Sequence, residues 1–349
     1  MNVTLIIGNG FDLNMGLPTS YSDFYHYYLK VDSPVSGTDF IKQKIKDAPE
    51  NWADLEKNLG DITVEYSDNV MEFDAVFGNV RNELEKYLKA VDVYDIPKLN
   101  VLASRFLHDV LEFDTYLDNK PKREYGKFVN SLHANDVVLN VVNFNYTSTI
   151  EKIKNESSSL SFEQRKIQFE KIVHVHQDLN TGIIMGVNDK SQISNEAFRK
   201  SFDIRSMMIK PFINEEFAAG NDEKCVELIN GADVIILFGT SFGDTDRKWW
   251  DVIARSVNDR GQRIVYCPFE RNAAQPLHET DIIRKIYNFK TSLAKKLAPD
   301  LPTMQQNLMA RIYPIRNNNL FYFGFGKKDR LQLRSEIIHK LLSPHFVLE

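Results

Sequence analysis

The chain has 349 residues, 43% of them apolar and 26% charged, a balance that excludes global disorder and suits one large domain or two interlocked ones. Its 43 basic and 48 acidic residues leave a net charge of −5, so no general grip on nucleic acid or on an anionic membrane is expected. The two cysteines, Cys225 and Cys267, rule out a disulfide framework and a four-cysteine zinc site. The opening MNVTLIIGNG has no basic n-region or long apolar h-region, and no apolar run approaches the roughly 20 residues that span a bilayer. The expected compartment is the reducing cytoplasm.

In chain order, the first expected element is a buried parallel strand over Val3 to Ile7, running straight into Gly8-Asn9-Gly10-Phe11-Asp12. From Asp23 to about Ala134 apolar and charged residues alternate at helical spacings, with few glycines and prolines. This reads as a helical block, residues 23–135, inserted after the first strand. Within it, Trp52 and Glu56 lie one helical turn apart and read as a packed helix face.

Strand character returns over Val137 to Val142 and leads into Asn143-Phe144-Asn145-Tyr146-Thr147, where Thr147 reads as a helix cap. A serine-rich surface loop is expected over 155–161. Strands are expected next at IVHVH (172–176) and IIMG (183–186), then interrupted helices over 195–230. The clearest strand, Val234 to Phe238, ends in Gly239-Thr240-Ser241. A helix from about Thr245 to Val257 follows, with Asp244 and Thr245 suited to cap it, and then a strand over 263–267. The tail from Glu270 reads as helical, with a hairpin or edge strand at NNNLFYFGFG, and its Lys327-Lys328-Asp329-Arg330 run as a solvated helix start. Strand, glycine turn and helix in repetition predict an α/β fold with a Rossmann-like, doubly wound parallel sheet. The expected divisions are a core of 1–22 plus 136–270, the insertion 23–135, and a mainly helical extension 271–349 packed on the core.

The unusual motifs all fall at expected strand ends, where such sheets bind ligands. Two readings of each stand side by side. Gly8-Asn9-Gly10 is either a tight turn or a turn that lets backbone approach a pyrophosphate; it lacks the third glycine of the dinucleotide fingerprint. Asn145 is either a turn residue or a group that orients a ribose hydroxyl or a water. His174 and His176 share a strand face, so with Asp178 they are either one satisfied buried histidine and one exposed one, metal ligands without a specified third partner, or the source of a general base. Gly239-Thr240-Ser241 either leads into a capped helix or holds phosphate and ribose oxygens. Trp249 and Trp250 read as core rather than as a stacking platform.

The order of these motifs carries a resemblance. Gly8-Asn9-Gly10, five residues, then Gly16-Leu17-Pro18 resembles the opening of sirtuin-type NAD-binding domains. Asn145, His176 and Gly239-Thr240-Ser241 stand where that family has its asparagine, histidine and GTS motifs. Over most of the chain the sequence is more similar to the bacterial abortive-infection AbiH family. IIGNGFDLNMGLPTSYSDF, W-x-D-x-E, FNYT, the histidine pair and the SFGxxD-like stretch carry that likeness. The sequence departs from the sirtuin pattern at Thr19-Ser20-Tyr21, Thr147 and Gln177, and it has no zinc module.

The resemblance implies an antiphage effector that hydrolyses NAD to nicotinamide and ADP-ribose. Asn145 and His176 would be catalytic. Gly8, Asn9, Gly10, Phe11, Asp12, Gly239, Thr240 and Ser241 would hold the nucleotide, and no metal is expected. It also implies a phage-derived trigger and self-association, with no membrane or nucleic-acid partner. Two other functions remain: a catalytically silent sensor of NAD or ADP-ribose, and a nuclease-type toxin.

Overall fold

A computed structural model of the chain describes residues 1–67, 69–134, 136–157, 166–217, 220–268, 278–316 and 320–343. Six strands form one parallel sheet: β1 (Asn2–Ile7), β2 (Val137–Asn143), β3 (Ile167–His174), β4 (Val234–Phe238), β5 (Arg263–Cys267) and β6 (Ile312–Pro314). Their spatial order is β3-β2-β1-β4-β5-β6. The chain winds outward from β1 in one direction through β2 and β3, then in the other through β4, β5 and β6. β1 and β4 therefore flank the point where the winding reverses. They pair in register from Val3 with Val234 to Ile7 with Phe238, so their carboxyl ends finish level.

Strand alternation feeds two separate cores. Val3, Leu5 and Ile7 of β1, with Val234, Ile236 and Phe238 of β4, pack under the inserted helices. Ile6, Ile235 and Leu237 face the other way, onto the helices Asn221–Asn230, Arg247–Arg260 and Glu279–Leu297. A sheet covered on both faces needs strands that are apolar throughout, and β4 is buried at all five positions.

Residues 23–135 form the expected run of helices, the longest being Val70–Asp92. This helix buries Phe73, Val76, Phe77, Val80, Leu84, Tyr87 and Leu88 along one stripe, the spacing that marks a core-facing helix. The same cluster contains Leu5 and Ile7, so insertion and sheet share one core.

Several local expectations are corrected. Residues 183–186 form no strand; the only ladder contact there is an isolated bridge between Val187 and Ile209. Gly186, at φ +153°, brings this segment so close to Met208 that a Cβ would meet the Met208 carbonyl oxygen at 2.0 Å. The tail joins the sheet through β6 (Ile312–Pro314), which pairs with β5, rather than through 320–326, which are not extended ladder. β6 has only three residues, too few for a periodic signal. The break expected at Pro211 is present: one helix ends at Met208, Ile209 is extended, and the next helix, Lys210–Phe217, carries Pro211 in its first turn. The serine-rich stretch is helical up to Ser157, and its remainder lies outside the described residues, as do 317–319 of the expected hairpin.

Candidate functional site

Beyond the carboxyl ends of β1, β2 and β4 lies a cleft of about 320 Å³. It sits at the switch point of the sheet, where open α/β folds bind ligands. Its floor is made of two glycine turns packed against each other. Gly8 N–H donates to the Phe238 carbonyl at 3.1 Å and Gly10 N–H to the Gly239 carbonyl at 2.9 Å. Gly239 has φ +69°, and a Cβ on it would stand 2.5 Å from the Phe11 nitrogen. These glycines thus serve backbone-on-backbone contact. The Phe11 N–H bonds the Gly8 carbonyl, so three amides of the GNG turn are already engaged and are not free for a phosphate.

The cleft brings together most of the expected site. Gly8, Asn9, Asp12, Asn145, His176, Gly239, Thr240 and Ser241 line it. Gly10 does not. Phe11 does not either; its ring lies edge-on to Phe106, Phe238, Phe321 and Phe323 in the core. Asn145 is tied down, its amide donating to the Gly8 carbonyl at 3.1 Å and its own N–H to Asn143 Oδ1 at 2.9 Å. It thereby fastens the end of β2 to the end of β1.

The histidine pair does not converge. His174 Nδ1 lies 2.8 Å from the Asn145 carbonyl and Nε2 lies 2.9 Å from Glu151, so both its nitrogens are engaged. Burial lowers its pKa, but the Glu151 hydrogen bond and charge outweigh this and raise it. Asp178 Oδ1 accepts from the N–H groups of Asn180 and Thr181 in a local turn. Among the described residues no group of three or more metal-ligating side chains stands together.

His176 is different. Its Nε2 lies 2.8 Å from Asp246 Oδ1, while its Nδ1 is buried without a partner. Asp246 stands at the N-cap position of the helix Arg247–Arg260, yet its side chain makes no cap bond, and neither Asp244 nor Thr245 supplies one. Its carboxylate instead takes His176 and Lys210 Nζ, the latter at 2.7 Å. Lys210 also donates to Glu56 Oε2 at 2.9 Å, and Glu56 Oε1 accepts the Gly186 N–H at 3.2 Å. Burial works against ionised Asp246, but Lys210 and His176 more than compensate and hold it well below the usual carboxylate range. Burial dominates at Glu56 and raises it, the Lys210 charge offsetting only part. An anionic Asp246 accepts the Nε2 proton of His176 and leaves a lone pair on Nδ1, the arrangement of a carboxylate-oriented base.

Asp12 completes the wall. It is 1% exposed, Oδ2 accepts from the Thr147 hydroxyl at 2.5 Å, and Oδ1 has no partner. Thr147 therefore serves Asp12 rather than a helix cap. Burial pushes the Asp12 pKa up to about 6, against the opposing hydrogen bonds of Thr147 and Thr149. Tyr21, Phe144, Tyr146 and Trp250 supply aromatic surface, and Trp250 stacks on Phe144 at 5.3 Å. The inserted helices contribute Asp54, Glu56, Leu84 and Leu88, so the insertion forms part of the cleft.

Sequence reasoning missed Lys210, Asp246 and the role of Glu56. Trp52 is buried, but it does not share a helix face with Glu56: it lies in the short turn Asn51–Ala53, extended Asp54 divides it from the helix Leu55–Asp61, and the Glu56 carboxylate turns into the cleft. The available signal for Lys210 was a single charge directly after the apolar run Met207-Met208-Ile209 and before Pro211.

Sheet order, switch-point cleft and a carboxylate-held histidine define a doubly wound α/β protein with a cleft at the carboxyl ends of its central strands. The particular lineage is also defined: the chain belongs to the bacteriophage abortive infection AbiH family, whose family model matches residues 4–267. The match begins in β1 and ends in β5, so it takes in every cleft residue. No curated protein matches the chain. No helix among the described residues is long and apolar enough to cross a membrane.

Proposed function

We propose that this AbiH-family protein acts in abortive infection as an NAD glycohydrolase, releasing nicotinamide and ADP-ribose in the switch-point cleft. The observation that carries the reading is His176, buried in the cleft, oriented by Asp246 through Nε2 and left with an unpartnered Nδ1. The sirtuin-like order of the GNG, Asn145, His176 and GTS motifs supports the choice of nucleotide.

The chemistry follows from these groups. The C1′–N bond of the nicotinamide ribose breaks and its electron pair goes to the ring nitrogen, so nicotinamide leaves neutral. Positive charge moves onto C1′ and the ring oxygen. Carboxylates along the cleft stabilise that charge as it develops. Water adds to C1′ and gives its proton to His176 Nδ1, and Asp246 stabilises the imidazolium. Asn145 holds the β1 and β2 ends in register, and its remaining amide oxygen is available to orient the water or a ribose hydroxyl. Thr240, whose hydroxyl is buried without a partner, and Ser241 offer hydroxyls to the ribose. A cleft of about 320 Å³ is at the lower end of the roughly 300–1,000 Å³ usual for small-molecule sites. It encloses one nucleoside half, and the rest of the dinucleotide follows the open mouth.

Loss of NAD would stop an infected cell from supporting phage. Such an activity needs restraint, which a phage-derived trigger or self-association would relieve. The test is to mix the purified chain with NAD, with and without infected-cell lysate, and to follow nicotinamide release. Release that vanishes in both His176→Ala and Asn145→Ala supports the reading. Intact NAD with lysate present, in a preparation that protects cells from phage, refutes it.

A further inference from the structure

The charge of the cleft points to which part of a ligand it encloses. Four carboxyl side chains line it, Asp12, Asp54, Glu56 and Asp246, against one ammonium, that of Lys210, and no arginine appears among the described lining residues. Lys210 is already shared between Glu56 and Asp246. It has no charge to offer a phosphate. The amides of Gly8, Gly10 and Phe11 are also engaged. An enclosed phosphate would therefore meet net negative charge with no unshared cation to offset it, at a penalty that grows as water is excluded, and the neutral hydroxyls of Thr240 and Ser241 do not supply that charge.

A cation meets the opposite situation. Asp12 is buried and lines the cleft, and its Oδ1 has no hydrogen-bond partner. Buried carboxylate oxygens are normally satisfied, so an unpartnered one in a cavity wall points to a ligand that supplies positive charge or a donor. The aromatic side chains of Tyr21, Phe144, Tyr146 and Trp250 line the same cavity, and aromatic faces favour cations that have shed water.

We infer that the enclosed part of the cleft is a subsite for a cationic aromatic ring, set by Asp12, Asp54 and the aromatic wall, and that the phosphates of any nucleotide ligand stay outside it. The inference rests on the glycohydrolase reading and sharpens it. The substrate class becomes N-glycosides of a pyridinium cation, with the oxidised dinucleotide accepted and its neutral, reduced form rejected. Charge complementarity also suits the reaction. The same carboxylates that hold the ring cation face the positive charge that moves to the sugar when the ring leaves.

The test uses the full chain and 1-methylnicotinamide, a pyridinium cation with neither ribose nor phosphate. Its binding is compared with that of neutral nicotinamide and of inorganic pyrophosphate by calorimetry and by quenching of tryptophan emission. The expected result is a preference for the cation over nicotinamide of roughly tenfold. Pyrophosphate should not compete. The preference should fall several-fold in Asp12→Asn, which keeps the Thr147 hydrogen bond, and again in Asp54→Asn. A thermal scan of each variant separates loss of the subsite from loss of fold.

Equal binding of the two rings, no binding of either, competition by pyrophosphate, or displacement of the cation by magnesium ions each overturns the subsite. The two readings fail separately. Selective cation binding without any NAD cleavage leaves the subsite standing and removes the glycohydrolase. NAD cleavage without cation preference does the reverse.

Discussion

His176 and Asp246 meet Nε2 to Oδ1 at 2.8 Å although 70 positions separate them in the chain. The first follows β3 and the second opens the helix after β4, so the sheet itself sets their contact. Asp246 fixes which nitrogen of His176 carries the proton. Asp246→Asn keeps the size but donates or accepts indifferently, so Nδ1 is no longer reliably the basic nitrogen. Nicotinamide release should drop by about 10²–10⁴-fold in His176→Ala and by a large part of that in Asp246→Asn. The thermal midpoint of Asp246→Asn should shift far less than its rate. A variant with full activity would remove the base from His176.

Lys210 stands between two carboxylates at 2.7 and 2.9 Å and is only 2% exposed. Lys210→Met leaves Glu56 and Asp246 facing each other without compensation. Denaturant unfolding should show a loss of roughly 3–5 kcal/mol. Adding Glu56→Gln should restore part of it, because one of the two stranded charges is then gone. Equal stability of the single and double variants would mean that the three groups do not act together.

Asp12 titrates near 6 in the folded chain and near 3.8 when unfolded. The folded state is therefore penalised above pH 6, and the penalty fades as pH falls toward 4. Asp12→Asn lacks it at every pH. The stability gap between variant and wild type should be on the order of 2–3 kcal/mol at pH 7.5 and close by about pH 4. The charged groups facing Asp12 are Asp92, from the long inserted helix, and His174, at the end of β3; Thr147 and Thr149 add hydroxyls. Binding of 1-methylnicotinamide should weaken as pH falls through about 6, since the protonated acid no longer attracts it. Binding that is flat with pH would point to Asp54 as the main anion.

Gly239 needs both its left-handed φ of +69° and the absence of a Cβ, which would press on Phe11 and Gly10. Gly239→Ala should cost about 2–4 kcal/mol, more than backbone strain alone. It should also open the contact between the GNG and GTS turns, so ligand binding falls with stability. An alanine variant as stable as wild type would show that the two turns are not locked together.

Much of this architecture can be read before folding is considered. β4 matches the apolar run 234–238 residue for residue, because a fully buried parallel strand must be apolar at every position, and β5 matches 263–267, where Ile264, Val265 and Cys267 are buried. The helical block also follows from spacing alone. β6 does not, since three residues carry no period and each pairs with a residue 48 positions earlier, as Ile312 does with Ile264. The expected strand at 183–186 fails for a related reason. Its residues are apolar because they are buried against Met208 and the cleft wall, not because they join the ladder.

The sequence by itself determined the class of the fold, the order of the strand-end motifs and the presence of His176, Asn145 and Asp12 among them. Those are local properties: apolar runs, glycine turns and chemically capable side chains at their ends. Tertiary structure alone decided which of those side chains share a cleft. It turned Phe11 into the core, closed both nitrogens of His174 and freed one of His176. It also drew Glu56 from the insertion, Lys210 from before a proline and Asp246 from a helix start into one ion network. The physical reason is that a charge network depends on distances of about 3 Å between residues that stand 36, 70 and 154 positions apart in the chain. Spacing along one chain does not encode such distances.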